Sequence, residues 1–113
     1  MILKHVGESL IVEGTEFFVG MEIVATDESE YVGLKGHITE IRTDSDKDME
    51  NEGPDIYCAF IEPEDPQEIA GLEDTFSELY GEPKKLEDIC LDCVIMAPSM
   101  INAGVTASTT RMQ

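Results

Sequence analysis

The chain has no tryptophan, only 6% aromatic residues, and only two histidines, His5 and His37, among 113 residues. Cations are scarcer still: 7 Lys plus Arg stand against 25 Asp plus Glu, a formal net charge of -18. That shortage argues against direct binding of DNA or RNA, because phosphate contact needs Lys and Arg. Nucleophilic catalysis lacks its parts too. No Ser or Cys sits in a recognisable elbow with a His and an orienting acid, and no glycine-rich phosphate loop is present. Paired carboxylates abound, and their abundance keeps any one pair from standing out as a glycosidase-type acid and base. The reading is therefore non-enzymatic, with no cofactor implied. No stretch approaches the length of a membrane span, and the opening Met-Ile-Leu-Lys-His-Val-Gly-Glu lacks the apolar core of a secretory signal. Three cysteines, Cys58, Cys90 and Cys93, without a secretory context point to free thiols and a cytoplasmic location.

What is present is an ordinary hydrophobic share, 42%, in a length that suits one domain. The stretch Gly20 to Ile61 organises the chain. Met21 to Ala25 alternates apolar and polar residues and predicts a half-buried strand. Gly33 and Gly36 punctuate a turn, supplying positive φ or close backbone approach. Gly36 to Arg42 resumes the alternation imperfectly, which predicts a bulge near Glu40. Ile56 to Ile61 is almost wholly apolar and suits a central strand. Upstream, Ser9 to Val12 and Thr15 to Val19 read as a hairpin across Glu13-Gly14, with Phe17 and Val19 on one face and Phe18 on the other.

A glycine before a short strand, a polar loop, and then Tyr31-Val32-Gly33-Leu34-Lys35-Gly36-His37-Ile38 resembles the KOW-type segment of small SH3-like barrels. The resemblance covers Gly20 to Ile61. It implies a mainly β fold, an SH3-like antiparallel partial barrel. Many members of that family bind RNA, or ribosomal and transcription proteins, through basic loops. The loops here are acidic, so an adaptor role would run through the barrel surface at Tyr31 and Leu34.

Thr43 to Asp55 is the most distinctive segment. Asp44, Asp46, Asp48, Glu50 and Glu52 occupy every second position, Asp55 follows, and only Lys47 opposes them. An extended chain would line the five up at ~6.6 Å intervals, close to the ~7 Å between phosphates along a nucleic-acid strand. Small, strongly acidic proteins of this kind resemble, in charge and size, the DNA-mimic inhibitors of phages and mobile elements, anti-CRISPR and anti-restriction proteins among them. A plain solvated loop would show the same composition. Asp44, Asp46 and Asp48 also match the first three ligand positions of an EF-hand loop, but Met49 stands where glycine is required and Asp55 where glutamate is usual. Selective calcium binding is not expected.

Asp65, Pro66 and Glu68 form a helix start: cap, first-turn proline and capping-box acid. Ile69, Leu72, Phe76 and Leu79 recur at helical spacing, and Gly81 marks the stop. The helix is expected over about 66–80, inserted before the last strand, with Glu73, Asp74 and Glu78 off the apolar face as a second acidic patch. Ile89 to Ala97 reads as a buried closing strand, which would make Cys90 and Cys93 structural rather than half of a zinc site completed by Cys58, His37 or His5. Residues 1–101 are expected to form one domain and 102–113 a flexible tail.

Three functions follow as expectations. The first is a non-catalytic acidic binder that occupies a basic, nucleic-acid-binding surface of a partner. Its contacts would be Asp44, Asp46, Asp48, Glu50, Glu52 and Asp55, with Glu73, Asp74 and Glu78 behind them. The second is a KOW-like adaptor using Tyr31 and Leu34. The third is a metal-binding regulatory protein.

Overall fold

The computed structural model describes residues 1–50 and 53–104. Its strands are β1 (Ile2–Leu3), β2 (Ser9–Val12), β3 (Thr15–Phe18), β4 (Glu22–Ala25), β5 (Lys35–Arg42), β6 (Asp55–Phe60), β7 (Val94–Met96) and β8 (Ile101–Ala103), with one α-helix, α1 (Pro66–Tyr80). The fold is mainly β with one helix, and every pairing is antiparallel. The main sheet runs β7-β6-β5-β4-β8, and β1 pairs with the far end of β5. It is an open sheet, as a partial barrel requires. No helix among the described residues is long and apolar enough to cross a membrane.

β5 is the spine. It is the longest strand and pairs with β6, β4 and β1. Its register against β6 shifts between Ile38 and Glu40, the bulge that the broken alternation predicts. The shift lets both Ile38 and Ile41 point inward, where each is fully buried beside Ile23, Ile56, Cys58 and Met96. Burying one such side chain contributes about 1.5–3 kcal/mol. Gly36 is a close-approach glycine: a Cβ there would lie 2.2 Å from the Ala59 carbonyl oxygen on β6.

The β2–β3 hairpin is a separate two-stranded sheet. Glu13 (φ 49°) and Gly14 (φ 86°) both take left-handed backbone, as a two-residue primed turn demands. The register pairs Leu10 with Phe17. Phe17 and Val19 are buried and Phe18 faces out, the division of faces expected from alternation.

α1 begins at its cap, where the Asp65 carboxylate accepts from the Gln67 amide at 3.0 Å. It ends where Gly81 adopts a left-handed φ of 72°. The helix sits on the sheet through an aromatic stack. Phe76 meets Tyr31 edge-on at 5.1 Å, and Tyr31 lies flat on Phe60 of β6 at 5.3 Å. The buried face is shorter than its periodicity suggests. Leu72 and Phe76 are buried, but Leu79 is 58% exposed, and Tyr80 covers Phe76 at 6.0 Å instead.

Two expectations about the C-terminal third are corrected. Ile89 to Ala97 is not one strand. A 3-10 turn at Leu86–Asp88 leads into a loop, Cys93 takes a left-handed φ of 57°, and strand pairing begins only at Val94. Nor does the ordered chain stop at 101. Asn102 and Ala103 belong to β8, paired with Val24 and Ile23, and the Gly104 amide donates to the Glu22 carbonyl at 2.7 Å. Among the described residues the helix thus precedes two short strands, β7 and β8, rather than one. The rest of the expected tail, 105–113, lies outside the described residues.

Candidate partner-binding surface

The acidic segment does not form an extended ladder. Thr43 is extended, Asp44 turns to a φ of 58°, Asp44–Asp46 make a 3-10 turn, and Lys47 is extended again. The reason lies at the start of β6. Asp55 is fully buried, and its two oxygens gather the loop around it. Oδ1 accepts from the Lys47 ammonium at 2.8 Å, and Oδ2 accepts from the Asp48 and Met49 amides at 2.7 and 2.9 Å. Lys47 also donates to the Gly53 carbonyl at 2.6 Å. Burial alone pushes the Asp55 carboxyl up; the Lys47 hydrogen bond, the two amides and the Lys47 charge outweigh it and hold the group below its ordinary value. Asp55 is therefore an internal anchor, and the expectation that it meets a partner is corrected.

Its neighbours are engaged as well. Asp48 receives the Tyr57 hydroxyl and pairs with Arg42 at 3.4 Å. Arg42 in turn bonds Glu40 and lies 4.9 Å over the Tyr57 ring. Burial and the Asp48 hydrogen bond push the Tyr57 phenol up to about 12. Asp46 takes the amino terminus of Met1. The Asp44 carboxylate accepts from the neighbouring Thr43 hydroxyl at 3.2 Å, and Asp44 and Glu50 are exposed. Glu52 lies outside the described residues. Arg42, Tyr57 and Lys47 are the residues that sequence reasoning missed. Lys47, the lone cation in an acidic run, was the available signal.

The second acidic patch divides too. Glu73 is half-buried and accepts from the Leu86 amide at 2.8 Å, tying α1 to the following turn. Asp74 and Glu78, four residues apart and so on one helix face, are exposed. The alternative contacts Tyr31 and Leu34 are core residues, each 7% exposed. The Tyr31 hydroxyl donates to the Cys90 carbonyl at 2.7 Å, and burial pushes its phenol up to about 12. Tyr31 is thereby committed to the core, which corrects the adaptor assignment at that residue, while Leu34 shows only a small face, to clefts beside α1.

The cysteines separate contrary to expectation. Cys58 is buried, and burial pushes its thiol up to about 12. Cys90 and Cys93 are exposed on the loop before β7 rather than structural residues of a strand. No group of three or more His, Cys, Asp or Glu placed to hold a metal occurs among the described residues.

Clefts lie elsewhere on the surface. Three clefts, of about 270, 180 and 210 Å³, follow one another across the mouth of the sheet. The first separates the Val32–Leu34 turn from α1 at Gly71, Leu72 and Thr75. The second shares Gly33, Leu34 and Glu68 with it and extends to Ile61 and Glu62. The third shares Lys35 and Ile61 with the second and ends at Glu22, Ile23 and Gly104. Comparison with known protein families, curated proteins and solved structures gives no match to the chain.

Proposed function

We propose that this chain is a non-catalytic acidic binding protein that occupies a basic, nucleic-acid-binding surface of a partner, such as a nuclease of the CRISPR or restriction type. The supporting observation is a net charge of -18 carried largely by exposed side chains. The described ion pairs engage Glu40, Asp46, Asp48, Asp55 and Glu82. Asp44, Glu50, Asp74 and Glu78 remain exposed to solvent and are the carboxylates offered to Lys and Arg of a partner. Each would stand where a phosphate otherwise sits, so the complex forms fast and weakens with salt. The setting is the reducing cytoplasm, where Cys90 and Cys93 stay as thiols.

The test is capture from a cell lysate at low salt, followed by elution with duplex DNA. The expected result is a basic nucleic-acid-binding protein, free of nucleic acid, that duplex DNA displaces. The combined variant Asp44→Asn, Glu50→Gln, Asp74→Asn, Glu78→Gln should lose it while its circular dichroism is unchanged. Partners that resist excess DNA, and that the variant still holds, would end the proposal.

A further inference from the structure

Gly71 occupies the middle of α1, where glycine costs about 0.8–1 kcal/mol relative to alanine. Nothing among the described residues accounts for it: a Cβ at Gly71 would meet none of their atoms within 4 Å. The effect of the missing side chain is to leave the first cleft open above Leu34 and Leu72. Across that cleft Val32 is 55% exposed, and at the far end of the second cleft Ile61 is 67% exposed. The groove thus has an apolar floor and two apolar shoulders. Its rim is acidic: Glu68 borders the first two clefts, Glu62 the second, and Glu22 the third, with Lys35 as the one cation among their lining residues. Glu22, Glu62 and Glu68 are all exposed.

We infer that this groove seats an extended segment of a protein partner in which aliphatic side chains alternate with Lys or Arg. Charge complementarity selects the occupant. An apolar floor takes every second side chain of an extended peptide, and the carboxylate rim takes the cations between them. A nucleic acid is repelled by the same rim, and an acidic peptide likewise. The inference rests on the partner being a basic protein and gives that protein a seat away from the Thr43–Asp55 loop.

The probe is an acetylated peptide of about eight residues alternating Lys and Leu, long enough to span several residues of groove at strand rise. Its Glu–Leu counterpart is the control. Amide shifts of the full chain are followed by NMR. The expected result is saturable shifts at Gly33, Leu34, Ile61 and Gly71 with the Lys–Leu peptide and none with the control. Gly71→Phe fills the first cleft from a position where an added Cβ meets no described atom within 4 Å. It should keep the melting curve and weaken binding by about tenfold or more. Val32→Lys, at an exposed position, is the second variant and should weaken binding similarly even if Gly71→Phe fails to fold. Glu22→Gln, Glu62→Gln, Glu68→Gln together should flatten the salt dependence. Shifts spread evenly over the acidic surface, or binding unchanged in folded Gly71→Phe and in Val32→Lys, would overturn the groove. The two proposals fail separately. Groove binding with a captured partner that resists duplex DNA ends the mimicry, whereas DNA-displaced capture by Gly71→Phe and Val32→Lys at wild-type strength ends the groove.

Discussion

The Thr43–Asp55 loop and helix α1 are both rich in carboxylate, and they dispose of it in opposite ways. In the loop three acids are engaged internally, while Asp44 and Glu50 stay exposed: Asp55 anchors two amides and an ammonium, Asp48 takes a phenol and a guanidinium, and Asp46 takes the amino terminus. On the helix only Glu73 is drawn into the structure, and Asp74 and Glu78 face water. Acid density therefore does not measure acid availability. The denser segment uses much of its charge to hold a conformation, and the sparser one leaves most of its charge facing water.

Substitutions should separate the two regions by size and sign. The largest effect belongs to the loop. Asp55→Ala removes the carboxylate that the Lys47 ammonium and two amides share and should destabilise by about 3–5 kcal/mol in urea unfolding. A loss within about 0.5 kcal/mol would mean that the loop organises itself without its anchor. The same residue has a pH signature. Because its folded value is depressed, its contribution is fully present above the unfolded carboxylate value near about 4 and disappears as pH falls through the lower folded value. The stability gap between wild type and Asp55→Asn should thus be constant at neutral pH and close in acid. A gap that stays constant down to about pH 2 would assign the effect to packing instead.

On the helix the expected effects are smaller and change sign along its length. Asp65→Ala removes the cap bond to Gln67 and should cost about 1 kcal/mol. Glu78→Gln removes a negative charge from the last turn, which has no cation of its own, and should stabilise by about 0.3–1 kcal/mol at low salt. Asp74→Asn should stay within about 0.5 kcal/mol of wild type. Destabilisation by either of the last two would show that the helix acids are structural after all and dissolve the contrast.

Most of the frame was legible because it obeys local rules. Alternation placed β2 to β5, an apolar run placed β6, the Glu13-Gly14 turn set the hairpin, and Asp65 and Gly81 bracketed the helix. What escaped depends on partners far along the chain. β1 and β8 are two and three residues long and exist because β5 and β4 offer them hydrogen bonds, so no periodicity could announce them. Ile89 and Leu91 suggested a strand because they are apolar, but apolarity reports burial, not extension. Ile89 is buried just past a 3-10 turn, outside any strand, and the Leu91 carbonyl accepts the Phe60 amide from a loop. The candidate site was the least legible part. An every-second-residue acid pattern reads as a ladder until the buried Asp55 bends it. The groove is assembled from β4, β5, the Tyr31 turn and α1, which only the tertiary fold brings side by side.

The short β7 bears on how the protein behaves when concentrated. It forms one border of the main sheet, spans only Val94–Met96, and is followed after Ala97 by Pro98 and a 3-10 turn. A long straight border would offer free amides and carbonyls to a neighbouring molecule and invite stacking into fibrils. Three residues and a proline give such growth almost no template, and mutual repulsion between strongly anionic copies opposes their approach. Self-association at that border is therefore suppressed by geometry and by charge together.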